Sequence, residues 1–189
     1  MATPFTYTNR KGRTYYLREV KTKTGKTRYV FSKSPGKGTL DAIPDGYEVA
    51  ETLNSVLSLV KAGTSPIRSD ELQTVVAELR RHKRLERYAA EIRGDAILVC
   101  EPIGGMDVLE GRALGLTRAF VQKLWAKAQY SALLRFRLED AEQRLFTVDR
   151  MCFRGGMEGW TELHGCDALR ELAREYVLHL GKPTFFELM

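Results

Sequence analysis

Acidic residues are nearly missing from the first forty positions, where Glu19 stands alone against ten Lys or Arg: Arg10, Lys11, Arg13, Arg18, Lys21, Lys23, Lys26, Arg28, Lys33 and Lys37. That stretch carries a balance of +9, and the other 20 basic and 23 acidic residues leave the rest of the chain at −3. The formal net charge of +6 and the pI near 9.3 are therefore properties of the N-terminus. Such asymmetry points to polyanionic partners, nucleic acid or an anionic surface, and says nothing about fold. Cysteine is scarce as well. Cys100, Cys152 and Cys166 are an odd set of three in a chain of 189 residues, which argues against a disulfide framework. No run of apolar residues approaches the ~18 that a spanning helix needs, so no membrane segment is expected. Met1 to Phe5 lead into polar residues without an apolar signal core, and the expectation is a cytoplasmic protein with reduced thiols.

Histidine is limited to three positions, and only Cys152, His164, Cys166 and His179 offer a soft metal site. Eleven, one and twelve residues separate them in turn, which matches no pattern of paired zinc ligands. The same residues permit a Cys–His nucleophile pair only if a thiol pKa is lowered and a base positioned, neither of which a sequence shows. Glu139 with Asp140, and Glu110 with Asp107, fall in expected turns and read as solvated carboxylates. No catalytic residue, metal or cofactor is expected.

Globular composition is present: 43% hydrophobic and 29% charged residues exclude wholesale disorder. The fold class read from the pattern is α+β, with a small antiparallel β-module at residues 1–61, a linker at 62–69 around Gly63, Ser65 and Pro66, and an α+β domain at 70–189 with antiparallel hairpins and about three helices. In the first module, residues 13–20 and 26–33 alternate Tyr, Val, Thr and Phe with polar positions and read as two strands. Gly25 suits the left-handed position closing a three-residue loop, Lys23-Thr24-Gly25. The register that follows sets Thr22 opposite Lys26, Val20 opposite Arg28, Arg18 opposite Val30 and Leu17 opposite Phe31. One face then gathers Tyr15, Leu17, Tyr29 and Phe31 as core, and the other presents Tyr16, Arg18, Lys26 and Arg28. Further strands at Ile43–Val49 and Val56–Val60 would complete one sheet of three or four strands near Lys61.

Beyond the linker, Leu72, Val75, Val76 and Leu79 recur at helical spacing behind Asp70 as expected N-cap, and Arg80-Arg81-His82-Lys83-Arg84 complements the helix C-terminus. Tyr88–Ile92 and Ala96–Cys100 read as a hairpin across Gly94-Asp95, or the former prolongs the helix. Thr117 caps a helix carrying Phe120, Val121, Leu124, Trp125 and Ala128. Leu134, Phe136 and Leu138 alternate with Arg135 and Arg137, and Phe146, Val148 and Met151–Phe153 form their antiparallel partner. Gly104-Gly105-Met106-Asp107 and Gly155-Gly156-Met157-Glu158 read as loops, the second followed by a core-packed Trp160. Asp167 opens a last helix with Leu169, Leu172, Ala173, Tyr176 and Leu180, stopped by Gly181, and Phe185-Phe186 must dock to avoid an exposed pair.

Thr24-Gly25-Lys26-Thr27 carries the Gly-Lys-Thr ending of a phosphate-binding loop, yet position 20 is Val where that motif needs glycine, and a hairpin replaces its strand-to-helix turn. The basic hairpin itself is the strongest functional signal. Arrays of Lys and Arg displace counterions from nucleic acid, and a two-stranded ribbon fits the major groove of B-form DNA. The expected nucleic-acid site is Arg10, Lys11, Arg13, Arg18, Lys21, Lys23, Lys26 and Arg28. Protection of sheet edges by exposed charge and a protein-partner surface are the other readings of the same residues.

Tyr15-Tyr16-Leu17, Lys26-Thr27-Arg28-Tyr29-Val30-Phe31-Ser32, Ile43-Pro44-Asp45-Gly46-Tyr47-Glu48 and the ending Leu178-His179-Leu180-Gly181-Lys182-Pro183-Thr184-Phe185-Phe186-Glu187-Leu188 together resemble a family of uncharacterised bacterial proteins, over nearly the whole chain. The resemblance implies no activity. It implies that the basic hairpin and the C-terminal part belong to one protein.

Overall fold

In the computed structural model the described residues are 3–104, 114–125, 127–154 and 157–188. Strands are β1 (Thr6–Thr8), β2 (Thr14–Lys21), β3 (Thr27–Ser32), β4 (Tyr47–Glu51), β5 (Leu57–Lys61), β6 (Ala89–Arg93), β7 (Ala96–Ile103), β8 (Gln129–Asp140), β9 (Leu145–Arg154) and β10 (Met157–Ala168). Helices are α1 (Ser69–Arg80), α2 (Arg118–Trp125) and α3 (Leu169–Val177), with short 3-10 turns at Lys83–Leu85 and Pro183–Glu187. The fold is a mixed α+β arrangement with antiparallel sheets. Two compact units form, Met1–Thr64 with Val108–Lys127, and Ser65–Asp107 with Ala128–Met189. The described residues 114–125 and 127 fall within the first of these units.

In the first unit β2 and β3 pair as the loop dictates: Gly25 takes φ +78, Thr22 N–H donates to the Lys26 carbonyl, Leu17 faces Phe31, Arg18 faces Val30 and Val20 faces Arg28. Leu17 is fully buried on the predicted core face, and Tyr29 of the same face meets Tyr47 edge-on at 5.3 Å. The expected single sheet is instead two sheets, β1-β2-β3 and the β4–β5 hairpin. The far edge of β2 is shared by two segments. β1 covers it along Thr14–Tyr16, and the segment Gly38–Leu40 takes over at once, with Glu19 N–H donating to the Gly38 carbonyl at 2.7 Å and Leu40 N–H to the Leu17 carbonyl at 3.0 Å. Both edges of the root of β2 are thereby paired, and β4 and β5 pair with each other as a separate two-stranded sheet. Gly38 is irreplaceable by alanine without a shift: it sits at φ +80, and a Cβ there would lie 2.3 Å from the Glu19 carbonyl oxygen.

The second unit is a meander of five strands in the order β6-β7-β8-β9-β10, with α1 and α3 packed together over one face. Ile97, Val99, Leu134, Phe136, Phe146 and Val148 meet Val75, Leu79, Leu172, Ala173, Tyr176 and Val177 there. Each such burial is worth roughly 1.5–3 kcal/mol, which is why alternation in β8 and β9 was a reliable guide. Between β6 and β7, Arg93 faces Ala96 across Gly94-Asp95, so the hairpin forms and α1 is not prolonged. Thr117 Oγ1 accepts the Phe120 N–H at 3.3 Å, capping α2.

Three local expectations are corrected. Asp70 lies inside the first turn of α1; the N-cap is Arg68, whose N–H donates to Glu71 Oε2 at 2.7 Å. Asp167 is the penultimate residue of β10, and α3 opens after the N-cap Ala168, whose N–H donates to Asp167 Oδ1. The stretch after Gly156 is the edge strand β10, and Trp160 lies beneath the Arg135 guanidinium (4.6 Å) on the face opposite the helices rather than in the core. The tail docks by half: Phe185 is buried while Phe186 is 74% exposed. The glycine echoes at 105–107 and 155–156, and the pair Asp107 and Glu110, lie outside the described residues.

Candidate nucleic-acid interface

The eight predicted basic residues separate by what they touch. Arg10 is spent on structure: its N–H and Nε donate to Glu51 Oε1 at 2.9 and 3.3 Å, and its Nη2 to the Thr52 carbonyl. Tyr7 OH donates to the other Glu51 oxygen at 3.3 Å. Burial alone would raise the Glu51 pKa, but the Arg10 hydrogen bonds and charge outweigh it and hold the carboxyl below its usual range. Arg18 is half-buried and donates from Nε and Nη2 to the Lys37 carbonyl at 3.2 and 2.9 Å. It lies on the predicted face, yet its guanidinium is used to hold the 36–40 segment.

Lys11 and Arg13 flank the β1–β2 turn, which buried Asn9 organises. Asn9 Oδ1 accepts the N–H groups of Lys11 and Arg13 at 3.1 and 3.0 Å, and Nδ2 donates to the Ser55 carbonyl at 3.1 Å, tying this turn to the β4–β5 loop. The remaining four, Lys21, Lys23, Lys26 and Arg28, sit at the other end of β2. At ~3.3 Å per residue the eight residues of β2 hold the two groups roughly 25 Å apart. One continuous basic face is therefore replaced by a pair of clusters.

The distal cluster is the more open. Every residue from Lys21 to Arg28 is exposed, and none is acidic. The flanking β1 and Gly38–Leu40 segments stop at Glu19, so the last part of the hairpin is a bare two-stranded ribbon. Lys11, Arg13, Lys21, Lys23, Lys26 and Arg28 have no ion-pair partner among the described residues. Thr22 Oγ1 accepts the Lys26 N–H at 3.1 Å and lies 3.0 Å from Thr24 Oγ1, so threonine hydroxyls between the lysines shape the loop. At the ribbon's root is an open concavity of about 720 Å³ lined by Arg18, Lys21, Lys37 and Thr39 among others. Lys37, outside the predicted site, lines it beside Lys21; its place follows from the pairing of Gly38–Leu40 with β2, which no local pattern announces. Asn9 was legible in principle, because Asn-Arg-Lys-Gly is a turn signal.

The other chemistries have separate partners. Cys152 Sγ accepts from Thr161 Oγ1 (3.3 Å), His164 Nδ1 lies 3.3 Å from Tyr176 OH, His179 Nδ1 lies 3.0 Å from Thr184 Oγ1, and Cys166 is exposed. Among the described residues no three His, Cys, Asp or Glu converge as a metal site. The Cys100 thiol is pushed up to about 12, by burial first and by Glu91 second, which keeps it protonated and unreactive at neutral pH. Glu139 is held by Arg137 and accepts from Thr147, and Asp140 Oδ1 accepts the N–H groups of Glu142 and Gln143 at 2.8 Å each. Both carboxylates are thus parts of the β8–β9 turn region. Gly25-Lys26-Thr27 runs from a turn into β3 and makes no phosphate loop. The chain matches no protein-family model, no curated protein and no solved structure.

Proposed function

We propose that the protein is a non-enzymatic binder of nucleic acid and that its basic N-terminal module makes the contact, through phosphates, with the projecting end of the β2–β3 hairpin. The carrying observation is the run Lys21–Arg28, exposed throughout, with four cations unopposed by any ion pair among the described residues. Unpaired cations keep their condensed-phase attraction for phosphate, and release of counterions drives such binding. Arg10 and Arg18 serve the reading by building the support, and Lys11, Arg13 and Lys37 add charge at its base. No helix among the described residues is long and apolar enough to cross a membrane, and a cytoplasmic setting, rich in nucleic acid, goes with the proposal.

Titration of the intact chain with mixed-sequence DNA and RNA across a salt series tests it. Affinity is expected to fall steeply between about 50 and about 200 mM salt. No detectable binding at the lowest salt refutes the reading.

A further inference from the structure

Resting on that reading, we infer that the ribbon is built for the major groove of duplex DNA, in preference to duplex RNA or single strands. Charge is distributed on both faces of the ribbon and at its tip. Lys21, opposite Thr27, shares the face of Leu17 and Tyr29, whereas Arg28, opposite Val20, shares the face of Tyr16 and Arg18. Lys26 precedes Arg28 by two positions and Lys23 sits in the loop between the strands. Cations therefore project to both sides and from the tip. A ribbon lying on a single phosphate row would use one of these sides; a ribbon between two rows uses both.

Dimensions agree. Two strands lie ~4.8 Å apart, and a groove ~12 Å wide and ~8.5 Å deep admits such a ribbon with its side chains. From Lys21 to Gly25 the free end is roughly 10 Å long at the rise of a strand, enough to reach the groove floor. A-form RNA has a deep, narrow major groove that excludes it. Single-strand binding relies on stacking platforms, and no aromatic residue lies between Lys21 and Arg28. Tyr29, the nearest ring on β3, is engaged edge-on with Tyr47. Threonine and lysine alternate along the ribbon, so contacts with backbone dominate and base sequence matters little.

The experiment compares one mixed sequence of about 20 base pairs as duplex DNA, duplex RNA and single-stranded DNA by fluorescence anisotropy with the intact chain over about 50 to 200 mM salt. Duplex DNA is expected to bind at least about 10-fold tighter than either competitor, with log K falling against log salt at a slope of about −3.6 for four phosphate contacts. Lys21→Gln and Arg28→Gln, on opposite sides, are each expected to make that slope shallower by about 0.9. Both positions are exposed, and an unchanged circular dichroism spectrum confirms the fold. Equal or tighter binding of duplex RNA or the single strand overturns the groove inference and leaves phosphate binding standing. A slope that responds to one of the two substitutions alone overturns it as well. Binding to none of the three overturns this inference together with the reading beneath it.

Discussion

Cations at the tip of the β2–β3 hairpin and cations in the five-stranded unit have the same charge and opposite employment. In the second unit arginine forks are spent internally. Arg135 Nε donates to Asp149 at 2.6 Å while stacking over Trp160, and Arg144 clamps Glu71 at 2.6 Å and reaches the Pro66 carbonyl. Arg84 holds the carbonyls of Leu178 and Leu180, Arg80 those of Glu86 and Tyr88, and Arg150 that of Phe185. At the tip, three of the four cations are lysines, compact and strongly hydrated, and all four stand in water. The contrast teaches that a basic residue signals a partner only after its internal partners are accounted for. It also sorts the run Arg80–Arg84, in which Arg80 and Arg84 bind carbonyls beyond α1 while Arg81 and His82 meet Glu78 of that helix.

Breaking the internal set should cost stability, and breaking the external set should not. The largest effect is expected for Arg144→Gln, which leaves the buried Glu71 carboxylate without its clamp and should cost about 3 kcal/mol in equilibrium urea denaturation. A cost below about 1 kcal/mol would erase the distinction. Gly38→Ala comes next, because the new Cβ meets the Glu19 carbonyl at a positive φ; about 2 kcal/mol is expected by the same measurement.

Glu51→Gln should cost about 1 kcal/mol at neutral pH, a figure kept small because half-exposed Arg10 is screened by solvent. Its pH dependence sharpens the point. The folded pKa of Glu51 is depressed, so its stabilisation is present above the unfolded carboxyl pKa and is lost as pH falls through the folded one. Acid denaturation curves of the Gln variant should therefore be flatter below about pH 4 than those of the wild type. The smallest stability effect, within about 0.5 kcal/mol, is expected when Lys21, Lys23, Lys26 and Arg28 are all replaced by Gln.

Local chemistry made much of this structure legible. The glycine closing the three-residue loop Lys23-Thr24-Gly25 fixed the turn, and the turn fixed which residues of β2 face those of β3. Alternation in β8 and β9 revealed the helix-covered face for the same reason: burial enforces a period of two. Pairings between distant segments were not legible. β1 is three residues long, Gly38–Leu40 pairs with β2 as a bare loop, and β10 carries His164, Gly165 and Cys166 through register shifts that blur its alternation. The candidate site was half legible: all eight basic residues were visible, but Arg10 and Arg18 were distinguished from the tip only by Glu51, Thr52 and Lys37, which approach from elsewhere in the chain.

The central claim is that unpaired charge at the ribbon tip meets phosphate. Its most direct test is duplex-DNA binding by the intact protein and by the fourfold Gln variant at Lys21, Lys23, Lys26 and Arg28, at about 50 mM salt where such contacts are strongest. The account predicts binding by the wild type and a loss of at least about 100-fold in the equally folded variant. Equal affinity of the two proteins would contradict it.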